Sequence, residues 1–143
     1  MDTLYSFFIK NVFLTALFIT SILIWISFEI KEMIYSKNSI NPTQAIEIIN
    51  HNNAIFIDSR NEKLFNEKHI INSINIPLEE INDQNKKLKK YRNKTIIVIQ
   101  TNNFYARKTI NILKNLEFKN ILYMNDGINS WNKEQLPTTN EKE

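Results

Sequence analysis

The sequence predicts an α/β domain, with a parallel sheet flanked by helices, preceded by one transmembrane helix. Three observations indicate this: an uncharged apolar stretch over 12–28, four later apolar runs of strand length, and a helical pattern between two of those runs. We expect an N-terminal anchor and juxtamembrane segment over 1–36, one α/β domain over 37–138, and a disordered tail over 139–143.

The N-terminal stretch is apolar on all sides, which is typical of a membrane-spanning helix. Its 17 uncharged residues reach about 26 Å as a helix, short of a ~30 Å hydrocarbon core. Adding residues 7–9 gives about 33 Å and places Lys10 where its stem snorkels to the headgroups. We therefore expect contact with the lipid bilayer through residues 7–28. A cleaved signal peptide and a buried core helix are the alternatives; residues 26–29 lack a small-x-small cleavage site.

The basic residues beside this helix predict its orientation. One, Lys10, lies on the N-terminal flank, whereas Lys31 and Lys37 lie on the C-terminal flank. Under the positive-inside rule this count favours a cytoplasmic location for the C-terminal part. Residues 29–39 are polar and predict the end of the helix and a linker.

A helix-start signal opens the domain. Asn41 suits the N-cap, Pro42 the first helical position, and Gln44 lies three residues after the cap. The pattern predicts a helix from Pro42 that ends near His51.

Short continuous apolar runs predict strands buried on both faces. These runs are 54–57, 74–76, 96–99 and 121–124. Between the last two, residues 106–116 predict a helix that turns Ile110 and Leu113 to the core, with Ile112 and Leu116 on the flank. A strand–helix–strand order of this kind favours parallel strands with right-handed crossovers.

The composition excludes several chemistries. The chain contains no cysteine, which rules out thiol nucleophiles, disulfides and zinc–cysteine sites. His51 and His69 are 18 positions apart and do not suggest a metal site, so we expect no metal and no cofactor. A single glycine excludes a glycine-rich phosphate loop, and a net charge of +3 is too small to predict nucleic-acid binding.

Several short motifs follow one another in a recognisable order. They are Ile57-Asp58-Ser59-Arg60, Phe65, Lys68-His69-Ile70, Ile74-Asn75-Ile76-Pro77-Leu78, Phe118, Asp126-Gly127-Ile128, Trp131 and Leu136-Pro137. Over roughly residues 40–137 this ordered set resembles the rhodanese-like domain family. The layout is similar to that of membrane-anchored bacterial members with a single domain. The resemblance implies a single-pass protein of the bacterial inner (cytoplasmic) membrane, and the basic flank predicts that its domain faces the cytoplasm.

The resemblance also identifies the position that decides the chemistry. Rhodaneses transfer sulfur through a cysteine at the first position of the loop between a strand and a helix, and here that position is Gln100. A carboxamide is not a nucleophile and cannot carry sulfur. The resemblance therefore implies no catalytic residue, and we predict that the chain is not a sulfurtransferase.

The rest of this loop allows two interpretations. It comprises Thr101, Asn102, Asn103, Phe104, Tyr105, Ala106 and Arg107. The resemblance places Asn103 at a glycine of the family, so Asn103 is expected to tolerate positive φ. Backbone amides and Arg107 suggest residual anion binding; the favoured alternative is an ordinary surface arginine.

Asp58, Arg60 and His69 also allow two interpretations. They suggest an acid/base pair, but the resemblance favours a hydrogen-bonded structural cluster, because the family's catalysis does not depend on them. The other structural positions that the resemblance implies are Pro77, Gly127 and Trp131. For Gly127 we expect positive φ, or a close approach to the helix that starts near Asn129.

Residues 86–94 contain six basic side chains. Such a run usually forms a solvated helix face. In a tethered domain it also suits anionic lipid; RNA is a weaker third option, since Tyr91 is the only aromatic within it.

Two hypotheses follow for function. The first is a non-catalytic, membrane-tethered module that presents Phe104 and Tyr105 to another protein. The second is an enzyme or anion-binding protein of altered chemistry that uses the remnant loop 100–107. A pocket with convergent polar groups under this loop would favour the second, and a filled loop would favour the first.

Overall fold

The computed structural model describes residues 2–51 and 53–140. The chain divides into two compact units, the first ending at Lys37 and the second beginning at Asn38. Each unit is described separately below.

The first unit consists of two helices, α1 (Asp2–Lys10) and α2 (Val12–Ser36). The 25 residues of α2 span about 38 Å, and none of them is buried. This helix is long and apolar enough to cross a membrane.

The helix bounds differ from the predicted span of 7–28. The chain leaves regular helical geometry at Asn11 (φ −118°, ψ 47°), whose side-chain Nδ2 donates to the Phe7 carbonyl at 2.9 Å. Residues 29–36, predicted as a helix end and linker, continue α2, because no glycine or proline interrupts them.

The second unit contains seven short strands and five helices in the described residues. These are β1 (Ser39–Ile40), α3 (Pro42–His51), β2 (Ala54–Asp58), α4 (Glu62–Glu67), β3 (His69–Ile70), β4 (Ile74–Asn75), α5 (Asn85–Leu88), β5 (Thr95–Ile99), α6 (Asn103–Asn115), β6 (Ile121–Met124), α7 (Ile128–Lys133) and β7 (Thr138–Thr139). Five strands form a parallel sheet in the order β1-β6-β5-β2-β4. The prediction of a parallel α/β fold is confirmed.

The sheet is buried on both faces, as its continuous apolar strands predict. In β5, Ile96 and Val98 join a core cluster with Ile110 and Leu113 of α6. On the opposite face, Ile97 and Ile99 pack in a second cluster with side chains of α3 and α7. The core side predicted for α6 is therefore correct.

The start of α3 follows the predicted capping box. The Asn41 side-chain oxygen accepts from the Gln44 backbone N–H at 2.8 Å, and the Gln44 side chain accepts from the Asn41 N–H at 2.9 Å. Two otherwise unpaired amide groups are thereby satisfied at the first turn.

Three very short strands were not predicted. β1 adds an edge to the main sheet, and β3 pairs with β7 in a separate antiparallel ribbon. Thr139, which the sequence analysis assigned to a disordered tail, pairs with His69 in this ribbon, so the prediction is wrong at that residue. Residues 141–143 of the same tail lie outside the described residues.

Candidate functional site

Gln100 lies directly after β5, at the carboxyl edge of the sheet. Its side chain is only 6% exposed. The Gln100 Nε2 donates to the Ser59 carbonyl at 2.7 Å, and its Oε1 accepts from the Thr101 N–H at 2.9 Å. Both ends of the carboxamide are thus hydrogen-bonded inside the protein, where burial of an unpaired polar group would be costly.

Asparagine side chains bond two further backbone amides around the loop. Asn102 caps α6, with its Oδ1 accepting from the Tyr105 N–H at 3.1 Å. The Asn103 Oδ1 accepts from the Asp126 N–H at 3.3 Å, and its Nδ2 donates to the Asn125 Oδ1 at 2.7 Å. The Thr101 and Tyr105 amides therefore already have side-chain acceptors, which weakens the case for an anion site.

Asn103, which was expected to tolerate positive φ, does not adopt it. It is the first residue of α6 and is not among the described residues with positive φ. Because Asn102 provides an N-cap, α6 begins three residues earlier than the predicted start at Ala106. Asn103 instead joins the loop to the turn at Asn125 and Asp126.

Gly127 lies between β6 and α7, and its backbone packs against Gln100 at the start of the loop. Its φ is 50° and that of Asp126 is 54°, so both positions adopt conformations that glycine favours. A β-carbon on Gly127 would overlap the Gln100 carbonyl oxygen and lie 2.7 Å from its carbonyl carbon. The sequence analysis expected positive φ or a close approach to the start of the next helix. The positive φ is observed, and the close approach is to the Gln100 backbone.

Phe104 and Tyr105 lie in the first turn of α6, on the solvent side of the loop. They are 71% and 44% exposed, and their rings form an edge-to-face pair with centroids 5.4 Å apart. The next residue, Ala106, is buried. The two aromatics therefore face outward, where they add apolar area to the surface.

A shallow depression of about 240 Å³ lies beside the loop. It is lined by Ser59, Arg60, Asn61, Leu64, Leu78, Glu79, Gln100, Thr101 and Tyr105. The described lining does not include Asp58, His69 or Arg107. Glu79, an exposed carboxylate at this depression, opposes the binding of an anion.

Asp58 and Arg60 form a buried ion pair at the end of β2. Asp58 is fully buried and Arg60 is 5% exposed. The Arg60 Nε lies 2.9 and 3.0 Å from the two Asp58 carboxylate oxygens, and Nη2 also donates to the Lys68 carbonyl at 2.8 Å. The Asn75 side chain donates to the Asp58 and Arg60 carbonyls, at 3.0 Å each. These contacts hold the turn after β2 in one conformation.

His69 is buried in β3, and the described contacts of its side chain are with Phe65. Nδ1 lies 2.8 Å from the Phe65 carbonyl oxygen, and the rings stack with centroids 3.8 Å apart. Arg60 connects Asp58 to Lys68, the residue before His69, but no described hydrogen bond joins His69 to Asp58. This geometry does not favour an acid/base pair.

Pro77 and Trp131 are tied to the backbone near the same edge. The Pro77 carbonyl accepts from the Glu80 N–H at 2.9 Å in a 3-10 turn. The Trp131 Nε1 donates to the Pro137 carbonyl at 3.0 Å, and its ring packs edge-to-face on Phe56.

Two buried hydroxyls under the loop were missed by the sequence analysis. Ser59 and Thr109 share a hydrogen bond of 3.0 Å, and the Thr109 Oγ1 donates to the Tyr105 carbonyl at 3.0 Å. Helical spacing could have indicated that Thr109 is buried, because it falls on the same face of α6 as Ala106, Ile110 and Leu113.

No group of three or more potential metal-ligating side chains comes together in the described residues.

The fold and site define a class: a parallel α/β domain in which a loop at the carboxyl edge leads from a central strand into a capped helix. The sequence profile of the family described as "Rhodanese-like domain" matches residues 41–134. The chain therefore belongs to the rhodanese-like domain family.

Three proteins place this assignment in context. An uncharacterized protein of Buchnera aphidicola subsp. Schizaphis graminum is 38% identical over 138 residues, covering 95% of this chain and 93% of that protein. The Escherichia coli protein YibN is 29% identical over 100 residues, covering 69% and 70% of the two chains. The crystal structure of a rhodanese-related protein from Thermoplasma volcanium matches with a TM-score of 0.64 and 31% identity, covering 73% of this chain and 99% of that one.

Proposed function

We propose that this chain is a single-pass membrane protein whose rhodanese-like domain is non-catalytic and binds another protein. The observation that carries the proposal is Gln100. It stands where the resemblance places the family's cysteine, and its carboxamide is buried and bonded to Ser59 and Thr101. Sulfur transfer by the family's route needs a thiolate nucleophile that becomes a persulfide, and the chain has no cysteine.

The contacts of the site give little support to the second hypothesis, an enzyme or anion-binding protein of altered chemistry. The Asp58 carboxylate is committed to Arg60, and His69 is buried against Phe65. A general base must reach its substrate within hydrogen-bond distance, whereas neither group is among the described residues that line the depression.

The proposed location is the bacterial inner (cytoplasmic) membrane, with the domain in the cytoplasm. The length and exposure of α2 support a span. The match to the Buchnera protein covers 95% of the chain, so the shared region includes most of this helix. The basic flank at Lys31 and Lys37 supports the orientation.

We predict that the full-length protein stays with the membrane pellet after carbonate extraction, because only an inserted apolar helix resists this treatment. A fragment of residues 38–143 should appear in the supernatant of the same preparation. Release of the full-length chain by carbonate would contradict the anchor.

The proposed contact surface is the aromatic pair at the start of α6. Phe104 and Tyr105 are exposed large side chains, and Tyr105 lines a depression whose charged lining residues are Glu79 and Arg60, the latter paired with Asp58. Aromatic anchors of this kind contribute strongly to protein interfaces.

A photo-crosslinking amino acid at position 104 of the full-length protein should therefore form a discrete adduct in living cells. The matched control is the same group at Asn115, which is exposed at the other end of α6. Tyr105→Ala should reduce the adduct from position 104 by about fivefold or more, the factor that corresponds to ~1 kcal/mol of interface energy. Equal adducts from 104 and 115, or no effect of Tyr105→Ala, would contradict a specific contact at this surface.

A further inference from the structure

The structure brings basic residues from two distant segments to one edge of the domain. Arg92, Lys114 and Lys119 line a depression of about 630 Å³ together with Asn93, Glu117 and Phe118. The Arg92 guanidinium joins the segments by contacts to the Glu117 carboxylate at 3.2 Å and to the Leu116 carbonyl at 3.4 Å.

Lys90 and Lys94 extend the same surface. Their ammonium groups lie 4.8 and 5.9 Å from the centre of the Tyr91 ring, within the range of cation–π contacts. Residues 86–94 are not one continuous helix face as predicted, because α5 ends at Leu88 and a 3-10 turn follows over Lys89–Tyr91. We use the term basic edge for Lys90, Arg92, Lys94, Lys114 and Lys119.

Sheet topology places Lys94 and Lys119 of the basic edge at the amino ends of two neighbouring strands. In a parallel sheet the amino ends of all strands lie at one edge. Lys94 directly precedes β5, and Lys119 lies two residues before β6.

The remnant loop lies at the other edge, after the carboxyl ends of the strands. Gln100 follows β5, and Gly127 follows the end of β6. The basic edge and the exposed aromatic pair of Phe104 and Tyr105 therefore lie toward opposite ends of the sheet.

We propose that the basic edge binds the phosphate groups of anionic lipids in the membrane that anchors the chain. Five cations with one described carboxylate partner, Glu117, favour an anionic surface. A membrane anchor on the same chain keeps the whole domain at high local concentration near lipid. Lysine ammonium groups suit lipid phosphates as point charges. This inference rests on the membrane anchor of the proposed function.

The test is lysine acetylation of the full-length protein in nanodiscs, with each site quantified by mass spectrometry. Nanodiscs contain phosphatidylcholine alone or with about one-third phosphatidylglycerol. In the anionic discs we expect the acetylation of Lys90, Lys94, Lys114 and Lys119 to slow about fivefold or more. Lys63 and Lys133, which follow the carboxyl ends of β2 and β6, should react equally in both. About 0.5 M salt, where the Debye length is about 4 Å, should abolish the difference.

Charge-matched variants distinguish lipid binding by the basic edge from the general attraction of a positively charged protein to an anionic membrane. In Lys90→Gln/Lys94→Gln/Lys119→Gln, the protection of Lys114 should be lost. In the control Lys63→Gln/Lys68→Gln/Lys133→Gln, which removes the same charge elsewhere, it should remain. Equal acetylation in both kinds of disc overturns lipid binding and leaves the anchor intact. Failure of the full-length chain to incorporate into discs overturns both the lipid binding and the membrane anchor.

Discussion

Replacing Gly127 with isoleucine is expected to lower the free energy of unfolding by at least ~3 kcal/mol. Two costs combine at this position: a β-branched residue at positive φ is strained, and any β-carbon overlaps the Gln100 carbonyl oxygen. The measurement is urea unfolding of residues 38–143, which include both core clusters and form their own compact unit.

The neighbouring residue provides the control. Asp126 also has positive φ, but it is already an L-residue with an exposed side chain. Asp126→Ile should therefore cost only the backbone strain and a weak exposed ion pair with Lys133, together about 1–2 kcal/mol. If both variants lose the same stability, the close approach to Gln100 does not constrain this position.

Arg60→Met is expected to lower the free energy of unfolding by about 3–5 kcal/mol, because it leaves the Asp58 carboxylate buried without its cation. The same change at Arg92 is a matched control. Arg92 pairs with Glu117 at 3.2 Å, but the two side chains are 40% and 76% exposed. Arg92→Met should therefore cost no more than ~1 kcal/mol.

Urea unfolding of the two methionine variants in the 38–143 fragment gives the comparison directly. A loss below ~1 kcal/mol for Arg60→Met would mean that the Asp58 charge is relieved in another way. The interpretation of this pair as a structural support for the turn after β2 would then be wrong.

Local rules predicted much of the fold. The capping box at Asn41 and Gln44 formed as expected, since both partners lie within one helical turn. The runs 54–57, 96–99 and 121–124 became buried strands, because continuous burial leaves an unbroken apolar pattern. Two-residue strands such as β1 and β7 have no such pattern, so their pairing followed only from tertiary contacts.

The site was harder to predict because its contacts cross between distant segments. The sequence placed Gln100 correctly after a strand, but nothing local indicates that its amide bonds Ser59. Similarly, Asn103 looked like a substitute for glycine, whereas its side chain bonds Asn125 and Asp126 from a helical position. The sequence indicated that position 127 requires glycine, but it did not indicate that the Gln100 carbonyl oxygen is the atom that excludes a β-carbon there.

The hydrogen bonds that hold the loop have a consequence for regulation. Each side-chain hydrogen bond described for residues 100–103 joins neutral amide, carbonyl or hydroxyl groups. None of these groups titrates near physiological pH or is oxidised as a thiolate is. The hydrogen bonds that shape the surface beside Phe104 and Tyr105 therefore do not change with acidity near neutral pH or with redox state. Under the proposed function, control over binding would come from the partner or from the amount of this protein.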